Sequence, residues 1–276
     1  MLGHVADIPL FNAAPNTLSW LSINLLDSAS RWAVPVYVML SGALLLDPAR
    51  DESPTQFYRK RLGRLGIPIV FWSAFFMLFA IFYTHASTPR EALRNLANGE
   101  PYLHLHFIFR LAGLYALTPA LRVLVKHASR TLLIQTVLIL FVIWSADSLI
   151  NGLRYIEPSA FARFAPFMAY YLCGYLLRDL VPSRRTLLLA LVGLVASILA
   201  LVAWSSLMAR YYDVSPFPSR PMLLHDFLSP VRITMGLCSW ILLTWLFRRP
   251  LPTGSLLARI SAWLAPLTLG IYLVHP

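Results

Sequence analysis

Long apolar runs separated by short, mostly basic connectors dominate the chain. Uncharged or nearly uncharged stretches lie near 32–46, 65–84, 103–125, 131–150, 161–181, 186–208, 227–247 and 260–275. A helix needs about 20 residues to cross roughly 30 Å of hydrocarbon, so the pattern predicts about eight transmembrane helices. The runs are continuously apolar, without the period-two alternation of a barrel strand. A backbone that must satisfy itself inside lipid is then helical. The predicted fold class is all-α, a polytopic helical bundle forming one membrane domain over 1–276.

Composition removes the soluble alternatives: 58% of residues are hydrophobic, 13% are charged and the mean hydropathy is +0.65. The net charge of +11 is spread loop by loop. Arg50, Arg59, Lys60, Arg61 and Arg64, then Lys126 and Arg130, then Arg178, Arg184 and Arg185, then Arg248, Arg249 and Arg259 fall in alternate connectors. The positive-inside rule puts these connectors in the cytoplasm and residues 1–30 outside. The dispersal argues against a nucleic-acid face. Cys173 and Cys238 both fall within predicted helices, so neither a disulfide framework nor a cysteine-rich metal site is expected.

Four stretches carry candidate chemistry. Ser28–Leu46 brings a cation, Arg31, to the start of an apolar run that contains Pro35 and the small pair Ser41 and Gly42. From Phe57, FYRKRLGRLGIPIVFW sets Arg59, Lys60, Arg61 and Arg64 just ahead of an apolar helix. Three residues apart, Arg61 and Arg64 are expected on one helical face. The plainer role of such cations is to anchor the helix beside anionic lipid. Pro101–Arg122 contains His104, His106, Tyr115 and Pro119, and the chain closes on LTLGIYLVHP with Tyr272 and His275. On a helix, His104 and His106 point about 200° apart, so one metal ion would not take both. Among ionisable residues inside spans, Arg110 is expected to pair with Asp147, and Arg232 to snorkel outward.

In this order the stretches resemble the acyltransferase-3 family, integral membrane enzymes that O-acylate sugars. The whole chain looks most similar to enterobacterial common antigen O-acetyltransferases. One departure is His106, where the family usually has tryptophan. The resemblance implies that Arg61 and Arg64 hold the phosphates of an acyl-coenzyme A donor, with acetyl-coenzyme A as co-substrate and no permanently bound cofactor. It implies a site role for Arg31 and a general-base role for His4, which would take the proton of an attacking sugar hydroxyl. His104, Tyr115, Tyr272 and His275 are the remaining substrate-binding candidates. It further implies a bacterial inner-membrane location, an acceptor among envelope glycans or lipid-linked sugars, and a longer protein. The first family helix, with its arginine, is expected upstream of Met1, and the last is expected to continue beyond Pro276. The competing reading is a transporter or flippase of lipid-linked saccharide, which would favour inverted repeats. None is evident in the sequence.

Overall fold

The structure, a computed structural model, describes residues 14, 17–50, 52–102, 104–154, 163–211, 224–248 and 254–274. Every regular element among these residues is helical. Helix α1 (Leu18–Ser30) starts at Thr17, whose hydroxyl accepts the Trp20 N–H. After Arg31 the chain enters α2 (Ala33–Leu45). Helix α3 (Pro54–Arg61) passes through a π-helical turn at Leu62–Gly66 into α4 (Ile67–Phe82). Then follow α5 (Pro89–Ala97), α6 (His106–His127), α7 (Arg130–Arg154), α8 (Phe167–Leu177), α9 (Arg184–Tyr211) and α10 (Pro230–Leu246). At the end, α11 (Leu256–Leu264) and α12 (Thr268–Val274) flank a 3-10 turn.

Four described helices are long and apolar enough to cross a membrane: Pro54–Phe82, His106–His127, Arg130–Ile150 and Arg184–Ala209. Counting the bent α11–α12 pair as one span raises the number to five. This corrects the expectation of eight. The runs near 32–46, 161–181 and 227–247 form helices of only 13, 11 and 17 residues, and 13 helical residues reach only about 20 Å. Apolar side chains cover the outside of the longer helices, as Ile67, Val70 and Phe71 do on α4. Such faces are where lipid chains would lie in a multi-pass membrane protein.

The described helices fall into two compact units. The first comprises residues 1–44, 130–157 and 169–250, with α9 packed along α10 and α1. Its tightest seam joins α2 to α8. A Cβ added at Gly42 would lie 1.8 Å from the Tyr171 carbonyl oxygen, and one at Gly174 would lie 1.9 Å from that of Met39. Two glycines thus let two backbones touch, the usual use of small residues between membrane helices.

The second unit comprises residues 45–129, 158–168 and 251–276. Its core is Phe76, Leu105, Ile108 and Leu273, with Trp72, Tyr102 and Tyr272 packed around them. Helix α3 is anchored at its start by a capping box: Ser53 accepts the Gln56 N–H while the Gln56 side chain accepts the Ser53 N–H. The Tyr58 hydroxyl then donates to the Ala116 carbonyl at 2.7 Å, which ties α3 to α6.

Candidate functional site

In the second unit, cations gather around one buried ring. Phe57 on α3 is fully buried, with the Arg61 guanidinium 5.0 Å and the Arg122 guanidinium 4.8 Å from its centroid. Arg61 also lies 5.8 Å from the Tyr115 ring, which meets Phe57 edge-on. Helical spacing builds this group: Phe57 and Arg61 are four apart on α3, and Tyr115 and Arg122 are two turns apart on α6. Arg122 is fixed further, its Nε donating to the Leu45 carbonyl at 2.7 Å and its Nη2 to Glu52 at 3.2 Å. Glu52 also receives the Lys60 ammonium at 2.9 Å. The hydrogen bond from Lys60, followed by that from Arg122, holds the Glu52 carboxyl below its ordinary range. Among the described residues, the Arg61 Nε is buried and makes no hydrogen bond. Two arginines on aromatic faces, with Lys60 and Arg122 sharing one carboxylate, form a site suited to phosphate oxygens, which guanidinium forks bind in pairs.

Arg64 does not join this group. It is exposed, and no ion pair or hydrogen bond is seen for it among the described residues. The cause is the π turn at Leu62–Gly66. Its wider loop turns the chain less per residue than an α-helix, so three residues no longer return to the same face. The partner of Arg61 is Arg122, which stands at the end of the third motif but drew no attention in the sequence.

His104 and Tyr272, from distant motifs, do come together, as packing partners. The Tyr272 hydroxyl donates to the His104 carbonyl, and the His104 Nε2 lies 3.3 Å from the Leu273 carbonyl. The imidazole is 1% exposed and packs edge-on against Phe76 and Tyr272. It ties the start of α6 to α12. His4 and His275 lie outside the described residues.

Arg31 belongs to the first unit. Its Nε and Nη2 donate to Asp27 Oδ2 at 2.9 and 2.7 Å. Asn24, Asp27 and Ser28 are all buried along α1, a polar stripe at helical spacing that the apolar-run scan passed over. Arg232 is 2% exposed, so it does not snorkel. Its Nη1 donates to the His225 carbonyl at 2.7 Å, and its head lies 4.5 Å from the Phe227 centroid. The His225 ring contacts the Ser205 hydroxyl at 3.1 Å. Burial, with the positive charges of Arg31 and Arg232, pushes the imidazole down to about 3, so it is neutral at physiological pH. Arg110 pairs with Glu100 at 3.6 Å. Glu100 also pairs with Arg163. Among the described residues no three His, Cys, Asp or Glu side chains converge as metal ligands.

The described helices are those of a multi-pass membrane protein, with a buried arginine, Arg232, and a cationic, aromatic cluster at one end of an apolar helix. The chain is a member of the acyltransferase-3 family: the family model, described as an acyltransferase domain, matches residues 1–276. It is therefore an acyltransferase enzyme, and its chemistry requires an acyl donor and an acceptor. No curated protein matches the chain, and no solved structure matches it.

Proposed function

We propose that this protein is an O-acyltransferase of a bacterial cytoplasmic membrane, moving an acetyl group from acetyl-coenzyme A to a hydroxyl of an envelope glycan. The observation that carries this reading is the Phe57-centred cluster. Lys60 and Arg61 belong to a connector assigned to the cytoplasm by charge, and Arg122 stands on α6 one turn before Lys126 of the next such connector, where a donor bearing a pyrophosphate and a ribose phosphate is available. In the reaction the acceptor hydroxyl attacks the thioester carbonyl, a C–O bond forms and the C–S bond breaks. The hydroxyl proton passes to a base, the role proposed for His4, and the departing thiolate takes up a proton. Arg31, held against Asp27, is proposed as a positioning residue.

The test is equilibrium binding of acetyl-coenzyme A to the purified chain in lipid nanodiscs. Replacing both Arg61 and Arg122 with Gln removes charge-assisted bonds worth about 1.5–3 kcal/mol each. The donor dissociation constant should then rise by at least about tenfold. Arg64→Gln should leave it within about twofold. Equal affinity in the wild type and the double variant would reduce the cluster to a topology anchor.

A further inference from the structure

Near the other end of α6 the second unit holds a cavity of about 410 Å³ whose lining includes Asn98, Gly99, Phe109, Arg110, Arg163 and Phe164. Two guanidinium groups and one amide line it, and among the described residues no carboxylate does. Local sequence builds this wall. Helix α5 stops at Gly99, in the left-handed region at φ 75°, where the Gly99 N–H bonds the Leu96 carbonyl and the Glu100 N–H bonds that of Asn95. That turn carries Glu100 onto both Arg110 and Arg163. Glu100 itself is not part of the lining, so it fixes the two heads from outside the cavity. Arg110 is held in addition over the Phe167 ring at 5.3 Å. Also in the lining, Phe164 packs where Gly113 lacks a side chain; a Cβ there would lie 2.5 Å from the ring.

A purely structural ion triad would be closed over. Here its two arginines, each with a side chain only 14% exposed, open onto a space within the range of small-ligand pockets. The space suits one pyranose ring. Aromatic faces take the C–H side of a sugar, and paired guanidinium forks select an oxyanion over a neutral hydroxyl. We propose that this cavity is the acceptor subsite and that it takes a sugar bearing an oxyanion, as a carboxylate or a phosphate. The proposal rests on the acyltransferase reading given above.

Its test is equilibrium binding to the full chain in nanodiscs, using p-nitrophenyl β-D-glucoside, p-nitrophenyl β-D-glucuronide and glucosyl phosphate as probes. Acetyl-coenzyme A binding is measured on the same preparations. At least one anionic probe should bind about tenfold tighter than the neutral glucoside, since a charge-assisted pair supplies that much. Preference for the glucuronide assigns the carboxylate, and preference for glucosyl phosphate assigns the phosphate. Arg163→Gln should erase the preference and Arg163→Lys should keep part of it, while donor affinity stays constant and reports an intact fold. Gly113→Ala, which drives Phe164 inward, should weaken all three probes. Equal binding of the three probes by the wild type, or a preference that survives in both Arg110→Gln and Arg163→Gln, would overturn the proposal. A wild type that ignores acetyl-coenzyme A yet keeps the anion preference would strike down the donor reading and leave this one standing.

Discussion

Glu52→Gln removes one charge from the donor cluster while keeping its shape, and it should move stability and donor affinity in opposite directions. The carboxylate is 10% exposed and holds two unequal partners: Arg122, 11% exposed at 3.2 Å, and Lys60, 63% exposed at 2.9 Å. The solvent-screened Lys60 pair contributes about 0.5 kcal/mol, and the sheltered Arg122 pair about 2 kcal/mol. Gln still offers an oxygen to one of them, so about 1–1.5 kcal/mol is lost, or about 2–6 °C in thermal midpoint for a chain of this size. Donor binding should respond the other way. In the empty site Glu52 neutralises the cations that the donor phosphates would need, and it repels those phosphates. At a separation of about 8 Å and an effective dielectric near 20, that repulsion is about 2 kcal/mol, reduced to about 1 kcal/mol by water and salt at an open site. Acetyl-coenzyme A should therefore bind about fivefold tighter to Glu52→Gln. Thermal melts with and without donor read both effects in one experiment. Weaker donor binding in the variant would show that Glu52 aims Arg122 and is no competitor of the phosphates, and unchanged binding would place the donor elsewhere.

Acid should reproduce part of this loss. Because Lys60 and Arg122 lower the Glu52 pKa, their contribution is complete above the ordinary carboxylate range and disappears as pH falls through the depressed value. The thermal midpoint of the wild type should drop in that acid window, with a smaller drop in Glu52→Gln. Gly42→Ala places a methyl 1.8 Å from the Tyr171 carbonyl oxygen, so α2 and α8 must part at a cost of about 3 kcal/mol. Gly63→Ala, with nothing within 4 Å, is the control, and equal melting of the two variants would refute the close crossing. Tyr272→Phe removes the donor to the His104 carbonyl and should cost about 1 kcal/mol in stability with donor affinity unchanged. A tenfold loss of donor affinity would return that pair to the substrate site.

The helical class was legible from the apolar runs because lipid leaves the backbone few alternatives. Counting spans was harder. A run of apolar letters does not say where polar residues are tolerated, and α1 shows the difficulty. Asn24, Asp27 and Ser28 interrupt its hydrophobicity, yet they are buried together, and Asn24 bonds the Val202 carbonyl at 3.2 Å. The Ser41–Gly42 pair, in contrast, was a local signal whose meaning emerges only with its partner, since Gly174 lies on another helix and completes the seam.

Arg61 could be picked out from its neighbourhood because density of cations before an apolar helix is a local property. Arg64 is exposed and apart from the cluster for an equally local reason: the i, i+3 rule assumes an α-helix, and a π turn changes the spacing. What no local rule supplies is the choice of partner across helices. Arg122 and Arg61 are 61 residues apart in sequence, and what brings them together is that each has the same apolar ring to cover. A buried ring is therefore the natural organiser of this site. Phe57 lets two like charges approach one face group without requiring a second carboxylate, because a ring quadrupole attracts each cation separately. A leucine at position 57 would keep the packing volume and remove that attraction, leaving Arg61 and Arg122 to repel one another in the empty site. Phe57→Leu should accordingly lower stability in the unbound protein and recover most of the loss when donor phosphates are present to neutralise the pair. Equal destabilisation with and without donor would show that the ring serves packing alone.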